Sequence, residues 1–483
     1  MRFAIGLLFI LVAVVFTPRV AGAGDATPGQ GANAQLQTLS TSTAMQANAS
    51  TIRPDQELTL DQAIKLALTN HPKMREAAAD TGVAGERIGE ARSYLGPQLF
   101  GTAQYLRSTD NGIGNTNYYN ADGAFPRVSG TNHDLASDDT SQSWDTSNNY
   151  MGGLALSQFL FDFGRRHGYV AQRQFEAAAI AADQQLTELD LIFEVSQRYF
   201  AVLQAKQLIR VYQQAEEQRQ FHLHEAQEKS KAGLRPQIDV YVMQAELERS
   251  QLGLEEARNG YSDARVGLDN AMGLSDMAPP YHLTDVLSYA EIKGDVKSLI
   301  REAIRARPDL KAMQDQASAM GARITEYRSD YFPTVNAVAG YSGMGTGLPA
   351  ANNFNAGILI TWPIFNSFLT RDQIAEADYS RQSIEAAIED LRQQIILQVQ
   401  TAFLNWQDSL KALQFAQGAL TASRVELELA QKQYETGLTG IVELEDAERH
   451  FTEDDAKYAT ALYGVAVNKA ALDQATARSL ADL

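Results

Sequence analysis

The feature that most limits what this chain can become is a pattern stated twice at fixed spacing. Asn70-His71-Pro72 interrupts one helical stretch, and Arg307-Pro308 interrupts another 236 residues later. Pro97 and Pro333 keep that offset, as do Tyr105 and Tyr341. Past the next loop the offset becomes 204 and holds, pairing Phe161 with Phe365, Val195 with Val399, Gly233 with Gly437 and Leu268 with Leu472. The difference, 236 − 204 = 32, is extra loop in the first half. Chance similarity between two Ala/Gln/Glu-rich helices would not keep prolines and glycines in step, so the pattern reads as a duplication. Each half runs helix, strand, loop, strand, long helix, turn, helix.

The first repeat covers 56–275, a linker 276–294, the second repeat 295–478 and a short tail 479–483. In the first half the opening helix is expected over about Leu60 to Tyr94 and strand one over about 97–107. The next 42 residues, Ser108 to Asn149, are rich in Asn, Asp, Ser, Thr and Gly and read as a polar surface loop. Strand two covers about 150–161, with Tyr150, Leu154, Leu156 and Leu160 on its large apolar face. In the second half the strands are expected at about 333–341 and 356–365, where Ile358, Ile360, Trp362 and Ile364 repeat that face. Segments of ~10 alternating residues have the length of transmembrane β-strands, one face toward lipid and one toward a lumen. Leu154, Leu156, Leu160, Ile358, Ile360 and Trp362 are the candidate lipid contacts. A soluble two-sheet sandwich shares the alternation and stays open at this point.

No proline occurs between Gly164 and Gly233, nor between Ser367 and Gly437. Nearly seventy helical residues would span roughly 100 Å at 1.5 Å each. One seam in the first stretch is Ile192, Val195, Tyr199, Val202 and Ile209; a second, displaced by a residue, is Leu189, Phe193, Phe200 and Leu203. Ile396, Val399, Phe403, Trp406, Leu410 and Leu413 copy the first. Two adjoining seams give a helix a neighbour on each side, as in a bundle or a ring. Four strands are too few to close a barrel around a lumen, and an open sheet edge has no partner in lipid. Several identical chains must then share one barrel.

The remaining features set the compartment and exclude other classes. Met1-Arg2, the apolar run Phe3 to Phe16 and Ala21-Gly22-Ala23 form a secretory signal peptide, 1–23. The run is short for a membrane anchor. Residues 24–55 form a low-complexity leader expected to be disordered. With 41 basic against 59 acidic residues the chain carries −18, which argues against a nucleic-acid partner. The absence of cysteine excludes disulfides, thiolate metal sites, thiol catalysis and a lipid-bearing N-terminal cysteine. His222 and His224 are two apart and do not converge on one metal. Gly340-Tyr341-Ser342-Gly343-Met344 misses the nucleophile-elbow spacing, and Gly112-Ile113-Gly114 lacks a dinucleotide-binding context. No catalytic residue, cofactor site or metal site is expected.

Together, the duplicated half, the strand endings Leu156-Ser157-Gln158-Phe159-Leu160-Phe161-Asp162 and Trp362-Pro363-Ile364-Phe365, and the turns Lys231-Ala232-Gly233-Leu234-Arg235-Pro236-Gln237-Ile238-Asp239 and Tyr434-Glu435-Thr436-Gly437-Leu438-Thr439-Gly440-Ile441-Val442-Glu443 resemble the TolC-type outer-membrane efflux protein family. The resemblance runs from about Leu58 to Ala477. It implies a mainly α chain with a membrane β-barrel part. A homotrimer would have 3 × 4 = 12 strands in the outer membrane, continued by a long α-helical barrel into the periplasm. It also implies a passive duct for small molecules or polypeptides that docks with a periplasmic adaptor protein and an inner-membrane transporter. The hairpin tips, 232–239 and 436–443, would lie opposite the strands, with Gly233, Leu234, Gly437 and Leu438 meeting the adaptor. Simple helix capping explains the glycines equally well. Glu443 and Asp446 match acidic residues lining the family's entrance, and Tyr434 matches a constriction residue. Three copies of the two carboxylates would concentrate cations there. The alternative is that Glu443, Glu445, Asp446 and Glu448 are one solvated face. The family also bonds a basic residue, two places past the second glycine, toward the acid matching Asp239; here that place is Thr439, and Arg235 is the candidate substitute. A soluble periplasmic coiled-coil scaffold without a pore is the rival reading.

Overall fold

The computed structural model describes residues 55–109, 146–274, 279–284, 295–345 and 351–478. The signal peptide, nearly all of the leader and polar loop, most of the linker and the C-terminal tail lie outside these residues. Elements in chain order are β1 Gln56–Leu58, α1 Leu60–Asn70, α2 Pro72–Ser93, β2 Pro97–Thr109, β3 Thr146–Phe161, α3 Arg165–Lys231 and α4 Gln237–Ala271. They continue with β4 Tyr281–Leu283, α5 Val296–Ala306, α6 Pro308–Ser329, β5 Thr334–Gly345, β6 Ala351–Thr361, α7 Leu369–Glu435 and α8 Ile441–Ala475.

Corresponding helices in the two halves have the same length. Both α1 and α5 have 11 residues, α2 and α6 have 22, α3 and α7 have 67, and α4 and α8 have 35. The opening helix expected over Leu60 to Tyr94 is two helices. His71 ends α1 and caps α2, its Nδ1 accepting from the Lys73 N–H at 3.1 Å, and Pro72 begins α2, where a missing N–H is harmless. Each strand meets its long helix at a sharp corner of two left-handed residues, Phe163-Gly164 and Ser367-Phe368. These pairs occupy matching positions, and three of the four residues bear side chains, so the corner is held against backbone strain.

The main sheet is antiparallel with order β2-β3-β5-β6; β1 and β4 form a separate parallel pair. β6 begins and ends earlier than the expected 356–365. It stops at Thr361 because Pro363 has no N–H to give a ladder and restricts the residue before it. Trp362 and Ile364 therefore lie just past the strand. A bulge between Phe159 and Phe161 lets Phe161, not Leu160, pair with Val335. This breaks the simple alternation, so Leu160 does not continue the register of Leu154 and Leu156.

Helices follow the strand order. Next to the sheet α2, α3, α6 and α7 lie side by side; toward the hairpin tips the succession is α4, α3, α8 and α7. The ribbon thus ends in β2 and β6 at one extremity, and in α4 and α7 at the other. Tyr199 ties its middle together, its hydroxyl lying 3.0 Å from the Leu58 carbonyl and 2.8 Å from that of Thr284.

Candidate functional site

Cross-strand register builds one apolar face through all four strands. Leu99 faces Leu156, Tyr105 faces Tyr150, Leu154 faces Tyr341, Tyr341 faces Phe354, Ala337 faces Ile358 and Val335 faces Ile360. The opposite face is mixed: it carries Gln98, Thr102, Gln104, Gly153, Ser157, Asn336, Ser342, Asn353 and Asn355, with Phe100, Leu106, Met151 and Leu359 among them. Ile358 is 68 % exposed and Ile360 64 %, too much apolar area on one sheet for water to tolerate. Leu156 is half-buried among its neighbours, whereas Leu154 and the bulged Leu160 are open. Just below the strands stands a belt of exposed aromatic residues, Tyr94, Phe163, Tyr331, Phe332, Trp362, Phe365 and Phe368. Phe163 stacks on Phe332 at 4.8 Å, and Trp362 donates its Nε1–H to the Tyr331 carbonyl at 3.0 Å. Amphipathic rings collect at a membrane–water boundary in this way. The belt was not singled out from sequence because its members come from four separate junctions. Among the described residues no helix is long and apolar enough to cross a membrane.

At the far end the two turns are built alike. Gly233 has φ +71° and Gly437 +75°. Gly233 N–H donates to the Ser230 carbonyl and Leu234 N–H to that of Lys229; Gly437 and Leu438 repeat this with Tyr434 and Gln433. Both are Schellman caps, and glycine serves them because the left-handed backbone penalises a Cβ. A Cβ at either glycine would meet nothing within 4 Å, so backbone conformation is their whole requirement. The next residues, Leu234 and Leu438, are 75 % and 78 % exposed.

Beneath the turns lies an apolar cluster of Leu223, Ala226, Met243, Leu247, Leu427, Tyr434, Ile441, Leu444 and Ala447, drawn from α3, α4, α7 and α8. Tyr434 is buried, and burial pushes its hydroxyl up despite nearby Arg235. Arg235 stands 4.7 Å above the Tyr434 ring and donates to the Tyr434 carbonyl at 3.3 Å, tying the first tip to the end of α7. Its partner is thus Tyr434 rather than Asp239. Asp239 is itself buried in the first turn of α4, where a helix N-terminus favours a carboxylate.

The four acidic residues of early α8 separate onto two faces. Glu443 and Asp446 point outward together, and Asp446 pairs with Arg449 at 2.8 Å. Glu445 and Glu448 point inward and are buried. Reading all four as one solvated face fails because Ile441, Leu444, Glu445 and Glu448 occupy i, i+3, i+4 and i+7, the core stripe of an amphipathic helix. That spacing was the available signal. His222 Nε2 lies 2.9 Å from Glu448 Oε1, and His222 Nδ1 lies 3.6 Å from Glu225. Burial opposes the charge on His222, but Glu448 and Glu225 outweigh it and raise the imidazole. Burial, reinforced by Glu448, pushes Glu445 up to about 7. Among the described residues no group of His, Asp and Glu is arranged to hold a metal ion.

The sequence matches the outer membrane efflux protein family over residues 63–274 and 299–478. It is 25 % identical to the outer membrane protein TolC of Salmonella enteritidis over 426 residues, covering 85 % of this chain and 80 % of that one. It is 24 % identical to TolC of Escherichia coli over 429 residues, with the same coverage. The fold resembles that of the Campylobacter jejuni CmeC outer membrane channel with a TM-score of 0.72 at 15 % identity, covering 95 % of this chain and 93 % of that one.

Proposed function

The chain belongs to the outer membrane efflux protein family, and from that premise we propose that three copies close one shared barrel and one helical tube around a continuous duct. It is an outer-membrane channel, and the observation that best supports the trimer is the matching pair of open edges. β2 and β6 end the sheet, while α4 and α7 end the helical layer. On α7 the exposed Tyr379, Leu397, Leu404, Phe415 and Leu429 fall 18, 7, 11 and 14 residues apart, a single line along the helix. On α4 the exposed Ile238, Tyr241 and Leu252 form the facing stripe. Joining the α7 edge of one copy to the edge of the next, formed by α2 near the sheet and α4 toward the tips, covers both stripes, as it pairs β6 with β2. Two copies would supply about eight strands, whose interior side chains alone would fill; three leave a lumen.

In the ring the apolar sheet face meets lipid, and the opposite face, which holds the Gln, Asn, Ser and Thr side chains of the sheet, lines the duct. A soluble scaffold would leave Ile358, Ile360 and the aromatic belt in water. The tips form the periplasmic entrance, where Leu234 and Leu438 offer apolar contacts to a helical adaptor, which couples the duct to an inner-membrane transporter. Three copies of Glu443 and Asp446 encircle the opening and favour cations. Small molecules or polypeptides pass through without chemistry on them. Purified protein in planar bilayers should conduct with cation preference, and Glu443→Gln/Asp446→Asn should lose that preference; unchanged selectivity would refute the ring of carboxylates. Photocrosslinkers at Leu234 or Leu438 should capture an adaptor in cells, and labelling no periplasmic partner would refute the docking assignment.

A further inference from the structure

The two helical hairpins, α3–α4 and α7–α8, meet where α3 packs on α8. At this seam, inside the apolar cluster below the tips, lie four ionisable side chains that the duct does not use. α3 contributes Arg219 and His222; α8 contributes Glu445 and Glu448. Glu445 is 8 % exposed and Glu448 2 %, and neither Glu445 oxygen has a hydrogen-bond partner. Carboxylates buried this way are costly unless neutralised or paired. We infer that this cluster is a proton-binding latch, holding the two hairpins together when Glu445 and His222 are protonated and loosening them when they are not.

The surrounding charges set the direction. From α3, Arg219, His222 and Glu225 face the pair, with Glu225 held by Lys229 at 2.5 Å. α4 contributes Glu246, which is paired with Arg249. α7 contributes Tyr434, and α8 the two carboxyls themselves. With Glu445 neutral and His222 charged, the Glu448 carboxylate has cations on the opposite helix. When both lose their protons, two carboxylates share the pocket with Arg219 as the remaining α3 cation. Glu445, raised above its unfolded value, favours the closed seam at low pH and loses that contribution as pH rises toward about 7. His222, also raised, contributes fully below its unfolded value and loses it as pH climbs through the higher folded one. Both effects have the same sign: acid tightens, alkali loosens.

The duplication makes the latch one-sided. The residues 204 places from the cluster are Ser423, Glu426, Tyr241 and Gln244, which cannot reproduce it. The seam inside a protomer therefore carries this cluster, whereas the α7–α4 seam proposed between protomers lacks it. That loosening reaches the entrance rests on the duct reading above; the latch itself does not.

The chain has no cysteine, so spin labels can be placed cleanly at Leu234→Cys and Leu438→Cys, one on each tip. Pulsed dipolar distances in the detergent-extracted oligomer should show one short population near about pH 5.5. A looser population should grow toward about pH 8.5, by up to about tenfold per pH unit for each linked proton. Glu445→Gln and Glu445→Leu, which imitate the neutral acid, should show a much smaller shift between the two extremes, leaving only the part that His222 contributes. Wild-type distances that do not change with pH, or a Glu445→Gln variant that keeps the full response, would overturn the latch. Conductance of the same preparations separates the two claims: an inert bilayer with a pH-dependent distance removes the duct and leaves the latch.

Discussion

The long helices α3 and α7 have the same length, begin at the same kind of corner and end in the same cap, yet they occupy different positions. Val195 and Val399 correspond and are both fully buried, because each half packs its helix on its own neighbours there. A few residues on, the match fails. Phe200 is 9 % exposed while its counterpart Leu404 is 57 %, and Val211 is 4 % exposed against 73 % for Phe415. α3 has helices on both sides within one chain; α7 has one side covered and the other bare. A duplicated unit that repeats around a ring needs this arrangement: what α3 finds inside its own chain, α7 must find on the next copy.

The largest effect should come from the sheet, on which both edges depend. Ile358→Lys/Ile360→Lys places two charges on the lipid face at about 2–4 kcal/mol each, and should abolish outer-membrane assembly in fractionated cells. Val338→Lys, on the opposite face, should assemble and alter conductance instead. If both assemble equally, the assignment of faces is wrong.

Next, Phe200→Ala and Leu404→Glu test the helices directly. Phe200→Ala should lower stability by about 3–5 kcal/mol through a cavity inside the chain. Leu404→Glu should leave a single chain's stability within about 0.5 kcal/mol of wild type but weaken the oligomer, read by comparing unheated and heated samples on gels. Equal damage from the two would mean that α7 is covered within its own chain.

The smallest effect sharpens the comparison where the halves agree. Gly233→Ala and Gly437→Ala should each cost about 1 kcal/mol in thermal stability, since only a left-handed backbone is penalised and no neighbour is struck. Gly168→Ala should cost more, because its Cβ would come 2.9 Å from the Glu326 backbone nitrogen where α3 crosses α6.

Much of this was legible because punctuation residues survive duplication. Pro72 and Pro308 open α2 and α6, and Gly233 and Gly437 close α3 and α7, so the offsets of 236 and 204 located the elements before any packing was known. Alternation identified Leu154, Leu156, Ile358 and Ile360 as one face. It did not show the bulge at Leu160, since a local break in register leaves no mark on apolar pattern. Glu443 and Asp446 share an exposed face as their spacing predicts, and the alternative that adds Glu445 and Glu448 to it fails because those two fall on the core stripe. The approach of Arg235 to Tyr434 depends on how two separate tips lie together, which the order of residues does not carry.

The central claim is that a ribbon with two bare edges closes only on copies of itself. Native mass spectrometry of the mature protein, extracted from outer membranes in mild detergent, measures this most directly. A single species of three chains is the predicted result. A stable one-chain particle, with Leu397, Leu404 and Phe415 open to labelling, would contradict it.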